Sequence, residues 1–228
     1  MVSKDGTQAI ADGAIFKLSV VTAGGERVDR IPAWVRCTRM NPHTNTLEGV
    51  YVQEDVARPY PWQHPRPARR PASLKIYEAH VGISGEELRV ATYREFADNV
   101  LPRIKAGGYT AVQLMAIQEH AYYGSFGYQV TSFFAPSSRF GPPADLKYLV
   151  DTAHAAGLTV LLDVVHSHAS SNTLDGLNQF DGSDSCHFHS GPRGHHSQVG
   201  IAQLAAAASA VSCAGRPSRL RRIPRLRC

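Results

Sequence analysis

A chain of 228 residues with 43% hydrophobic content is long enough for one large domain or two smaller ones and too apolar for intrinsic disorder. Its formal charge of +5 does not describe its body: all 19 acidic residues lie at or before Asp184, and residues 1–184 set them against 17 basic ones, a net of −2. That balance argues against a nucleic-acid partner and leaves the basic character to the C-terminal tail.

Four cysteines, at 37, 186, 213 and 228, show no paired spacing and read as reduced thiols of an intracellular protein. No run approaches 18 apolar residues, so no membrane span is expected. Residues 1–10 lack the charged and apolar regions of a signal peptide.

From residue 14 to about 51 the pattern is β. Phe16, Leu18 and Val20 alternate, Gly24-Gly25 supplies a turn, and Ile31, Trp34 and Val35 resume the apolar positions. Short strands of this kind make a sandwich or part of one. Five prolines with arginines between them, from Arg58 to Pro71, rule out a helix or a central strand. They predict an extended connector with a domain boundary in it.

Past the connector the texture becomes β-α-β-α-β. Residues 74–81 read as a short strand. Residues 92–105 read as a helix: Thr92 and Glu95 hold capping-box positions, Phe96, Val100 and Ile104 share a face, and Gly107-Gly108 is the stop. Pro102 is expected to kink its last turn. Residues 110–116 form a second strand. Pro143 opens a second helix with Leu146, Leu149, Val150 and Ala153 inward, and Gly157 closes it. Strands and helices in this alternation imply a parallel sheet with right-handed crossovers. The loop over 118–141 is longer than such a connection needs and carries Tyr122, Tyr123, Phe126, Tyr128, Phe133 and Phe134. Those rings suit stacking on sugars or bases, or packing beneath the loop.

The stretch LTVLLDVVHSHAS, residues 158–170, is a near-continuous apolar run that ends in Asp163, His166 and His168. It reads as a parallel strand covered on both faces, with polar chemistry at its carboxyl end, where α/β folds build their sites. With Cys186, His187, His189, His195 and His196 further on, the same residues leave a zinc site as an alternative reading. The simpler one makes His187 and His189 ordinary loop residues and has His120 capping or packing near the cleft.

The segments KIYEAHVG, AVQLMAIQEHAYYGSFGYQVTSFFAPSSRFG, DLKYLVDTAHAAGLTVLLDVVHSHAS and NTLDGLNQFDG resemble the 1,4-α-glucan (starch or glycogen) branching enzymes of the α-amylase family. The resemblance covers roughly residues 10–194. It implies an α/β fold: the first three β/α units of a (β/α)8 TIM barrel at 73–194, a Pro/Arg-rich connector at 58–72, and the C-terminal half of a β-sandwich carbohydrate-binding module at 1–65. Carried over residue by residue, Asp163 orients the subsite for the glucosyl unit to be transferred, His168 hydrogen-bonds its hydroxyls, and Tyr128 stacks on the same sugar. Ser167 stands where many amylases carry an asparagine calcium ligand, so no calcium and no other cofactor is implied. The implied partner is an α-glucan: amylose, amylopectin or glycogen.

The family reaction is a double displacement that cleaves an α-1,4 link and hands the segment to a 6-hydroxyl, forming an α-1,6 branch. It needs an aspartate nucleophile, a glutamate acid and a second aspartate from later strands, with the first two carboxyls about 5–5.5 Å apart. None of these lies in the matching segment, so the chain alone is expected not to branch glucan. Residues 195–228, without an acidic or aromatic residue, are expected to be an unrelated, disordered Ala/Arg-rich tail of the kind a shifted reading frame produces. Two alternatives remain: a non-catalytic glucan-binding fragment and a metal-dependent barrel hydrolase.

Overall fold

The structure, a computed structural model, describes residues 10–53, 59–67, 73–196 and 200–204. Five short strands come first: β1 (Ile15–Phe16), β2 (Leu18–Val21), β3 (Arg27–Arg30), β4 (Thr38–Met40) and β5 (Leu47–Val50). β2 and β3 form the hairpin that Gly24-Gly25 announces, with Gly25 at φ +84° and Thr22 N donating to Glu26 O at 2.8 Å. β1 and β4 flank β5 in an antiparallel sheet. Ile31, Val35 and Leu47 pack here against Ala135, which belongs to the aromatic loop.

Eight strands follow the connector: β6 (Ile76–Ala79), β7 (Ala111–Leu114), β8 (Gln118–Glu119), β9 (Ser132–Pro136), β10 (Thr159–Leu162), β11 (His168–Ser170), β12 (His195–His196) and β13 (Ile201–Gln203). β6, β7 and β10 make the expected parallel sheet, with β7 in the middle.

Two helices cover one face of this sheet. The first begins with its capping box: Thr92 Oγ1 accepts from Glu95 N at 3.2 Å, and the Glu95 carboxylate accepts from Thr92 N at 2.8 Å. Pro102 lies next to an irregularity in this helix. The helix widens into a π-turn over Phe96–Val100, where Leu101 N donates to Phe96 O, and resumes as Leu101–Ala106. Pro102 is the second residue of the resumed α-helix, directly after the π-turn. The second helix, Pro143–Ala155, opens on its proline as expected. Tyr93, Phe96, Leu101, Val112, Leu114, Phe140, Leu149 and Leu158 make the main core between helices and sheet.

The opposite face carries no covering layer among the described residues. Gln113, between the buried Val112 and Leu114, points that way and donates to Glu78 Oε1 at 3.0 Å in an exposed pair. β10 therefore departs from the expectation of a strand covered on both faces. It pairs only with β7 among the described residues, and Leu162 and Val164 are 45% and 51% exposed. No helix follows β10 among the described residues, and the chain enters β11 instead.

The expected tail boundary at 195 also moves. β11 pairs antiparallel with β13, and β13 with β12, in a register that sets His168 opposite Gln203. Ala202 and Leu204 join Ala169, Leu177 and Phe188 in a separate apolar cluster, so two apolar residues of the expected tail find partners in the fold. Residues 205–228 lie outside the described residues.

Of the connector, residues 59–67 are described and hold neither helix nor strand; Trp62 N donates back to Tyr60 O at 3.0 Å in a tight turn, and the chain bends at His64. They are tied down. Gln63 N and His64 N donate to the buried carboxylate of Asp151 on the second helix, at 3.2 and 2.9 Å, and Trp62 lies beside His154. The N-terminal strands are fastened in the same way. Leu47 N donates to Asp175 Oδ1 at 2.6 Å, the Arg30 guanidinium reaches the carbonyls of Gln179 and Phe180, and Trp34 stacks on Phe134 with ring centroids 4.7 Å apart.

Candidate functional site

The site forms where β7 and β10 end. Asp163 follows β10 directly, with its N–H donating to Leu114 O at 3.0 Å, so the sheet itself sets where its carboxylate starts. Tyr128 Oη donates to Asp163 Oδ2 at 2.9 Å. Burial first, and then this hydrogen bond and the charge of Asp163, push the Tyr128 phenol up to about 12. The tyrosine is therefore a committed donor at any ordinary pH.

His168 closes the group. Its Nε2 lies 2.9 Å from Tyr128 O, and because a carbonyl only accepts, Nε2 must carry the proton. In the neutral ring that leaves Nδ1 to accept from Ser167 Oγ at 2.9 Å. Tyr128, Asp163 and His168, named from the sequence for one sugar, thus meet in one hydrogen-bonded chain.

The local backbone explains why Tyr128 points there. Phe126 and Gly127 both take positive φ, +52° and +91°, and turn the chain back after the 3-10 turn Tyr123–Ser125. A Cβ on Gly127 would overlap the carbonyl oxygen of Ala116, so only glycine fits.

Two residues that sequence reasoning passed over fix the surroundings. Gln118 accepts from Val165 N on Oε1 at 3.0 Å and donates from Nε2 to Phe133 O at 3.0 Å, joining the segment after Asp163 to β9. Glu119 is fully buried and accepts from Thr38, His120 and Ser138.

The other candidates lie elsewhere. His166 stacks on Phe133, and His187 sits among the rings of Phe180 and Phe188. His120 is fully buried, donates from Nδ1 to Gln118 O at 2.9 Å, and has its pKa lowered by that burial. Among the described residues, no three of His, Cys, Asp and Glu come together to hold a metal.

A family model described as the catalytic domain of α-amylases matches residues 99–186, a span that contains Tyr128, Asp163 and His168. The 1,4-α-glucan-branching enzyme of Emericella nidulans is 58% identical over 195 residues, 85% of this chain and 28% of that protein. The chloroplastic/amyloplastic enzyme 2-2 of Arabidopsis thaliana is 56% identical over 192 residues, 84% and 24% respectively. Over most of its length, the chain is similar to 1,4-α-glucan-branching enzymes. It spans about a quarter of the length of these relatives.

Solved structures share the fold at lower identity. They include a pullulanase from Paenibacillus barengoltzii (TM-score 0.63, 18% identical, 81% of this chain and 33% of that one) and the pneumococcal glycogen-degrading factor SpuA (TM-score 0.61, 17% identical, 79% and 22%). The α/β architecture expected from the branching-enzyme resemblance is thus the architecture found. Among the described residues no helix is long and apolar enough to cross a membrane.

Proposed function

We propose that this chain carries the donor-sugar subsite of a 1,4-α-glucan branching enzyme, which cleaves an α-1,4 glucan and transfers the segment to a 6-hydroxyl. The observation that carries the reading is the Tyr128–Asp163–His168 chain at the carboxyl ends of two neighbouring parallel strands. Asp163 Oδ2 takes the tyrosine hydroxyl and Oδ1 accepts from a sugar hydroxyl, which orients the ring. Tyr128, held by its own hydroxyl, offers an aromatic face to the sugar's C–H groups. A sugar hydroxyl reaches His168 Nδ1 by replacing Ser167 Oγ, an exposed partner that water can satisfy.

In this reading residues 73–194 are the first part of a (β/α)8 barrel and residues 1–65 part of a β-sandwich carbohydrate-binding module, which their five antiparallel strands support. The substrate is amylose, amylopectin or glycogen. The covalent chemistry comes from carboxylates of later barrel strands, so the 228-residue chain binds glucan without branching it.

Calorimetric titration with maltoheptaose tests the subsite. The parent chain is expected to bind it. Tyr128→Ala and Asp163→Asn are each expected to weaken binding by roughly tenfold or more, the scale of one stacking or charged contact. Equal affinity in the parent and both variants overturns the assignment. A fall in the iodine colour of amylose incubated with the parent chain overturns the claim that it does not branch.

A further inference from the structure

Glu119 is fully buried in β8, where the aromatic loop begins, and its hydrogen bonds go to residues other than the three of the sugar site. Its Oε2 accepts from Thr38 Oγ1 at 2.6 Å and from Ser138 N at 2.8 Å, and its Oε1 from His120 N at 3.0 Å. Its carbonyl oxygen accepts from Thr131 N at 2.8 Å and Thr131 Oγ1 at 3.0 Å. These partners are not scattered. The bond to Ser138 closes the segment 119–138 on itself. Thr131 is drawn back to the same residue three positions after Tyr128. Thr38 comes from β4, in the separate N-terminal sheet.

We infer that Glu119 is a positioning residue of the sugar site: it closes the neck of the 119–138 loop, so that the loop sets Tyr128 against Asp163, and Thr38 extends that hold to the N-terminal sheet. A buried carboxylate is tolerated only with its donors in place, so the three donors and the loop conformation stand or fall together. The rest of the loop agrees. The β8–β9 ladder is irregular between Gln118 and Glu119, so the backbone ladder alone fixes this end poorly. The functional half of the inference rests on the reading of Tyr128 and Asp163 as sugar-binding residues; the structural half does not.

The test uses the full 228-residue chain carrying Glu119→Gln or Thr38→Val, each also made with Tyr128→Phe so that the difference in phenolate absorbance isolates Tyr128. The parent Tyr128 should titrate near 12. In both variants, with the far-ultraviolet circular dichroism of the parent retained, its titration should move down toward the ordinary tyrosine value of about 10, and maltoheptaose should bind roughly tenfold more weakly.

An unchanged Tyr128 titration in a folded variant overturns the inference, because a purely structural role for Glu119 would leave that phenol where it is. If the titration moves and maltoheptaose affinity does not, Glu119 positions Tyr128 as inferred, and it is the sugar reading of Tyr128 that fails. Should Glu119→Gln not fold, Thr38→Val, which removes a single hydrogen bond, carries the test alone.

Discussion

Tyr128 owes its place to the residue before it. Gly127 sits at φ +91° with the Ala116 carbonyl where a Cβ would go, whereas Gly25 has a similar φ of +84° and open space around it. Gly127→Ala is therefore expected to cost upwards of about 3 kcal/mol in chemical denaturation, and Gly25→Ala only about 1 kcal/mol, the strain of the positive φ by itself. Equal costs would mean that the backbone at 127 can shift and that the turn is not fixed by this overlap. At this scale the sequence was partly legible. Asp163 and His168 announce themselves as polar residues ending an apolar strand, and Tyr128 lies in a motif. Gln118 and Glu119 do not, because a Gln-Glu pair after a short strand looks like a solvated loop. Only the fold, by bringing Val165, Phe133 and Thr38 around them, turns them inward.

Among the elements, the connector shows the same division. Prolines made its lack of helix and strand readable, and nothing local could reveal its anchor, because Asp151 lies more than eighty residues away on a helix. Asp151→Ala leaves the N–H groups of Gln63 and His64 without their acceptor and is expected to destabilise the chain by about 1–3 kcal/mol. Amide hydrogen exchange should show it locally, with Gln63 and His64 exchanging faster while amides of the Pro143–Ala155 helix keep their protection. Unchanged exchange at those two positions would mean that the connector is held by its aromatic contacts instead. The first helix is similar in kind: Pro102 was visible, but the π-turn that absorbs it depends on packing against the sheet. Surface electrostatics act here too. Arg89 and then Thr92 hold the partly exposed Glu95 carboxyl near 2, so the capping box survives well into the acid range.

For the whole molecule, the parallel order of β6, β7 and β10 followed from the alternation of strand and helix, and one-sided coverage of that sheet did not, since an apolar run says only that a strand can be buried. Nor could composition show that residues 201–204 rejoin the fold through β13, which needs His168–Ser170 as a template. Burial acts across the molecule on its histidines. It lowers the pKa of His80, His120, His154 and His187, His120 adding to the effect at His80 and Asp151 opposing it at His154. The unfolded chain takes up protons near 6.5, and the folded chain only at lower pH. Stability is therefore full above about pH 7 and declines as pH falls through 6.5 toward the folded values. Melting temperatures measured from about pH 7.5 down to about pH 5 should fall, and a rise over that interval would contradict the burial of these rings.

Trp34 and Trp62 are the two tryptophans of the chain, and neither is in the core. One lies where the N-terminal strands meet the aromatic loop and the other where the connector crosses the second helix. The tryptophan fluorescence of this molecule is thus a signal of its seams, since neither tryptophan lies in the packed centre. Light emission and helical circular dichroism will trace one melting curve if the seams and the centre come apart together, and two if the seams part first.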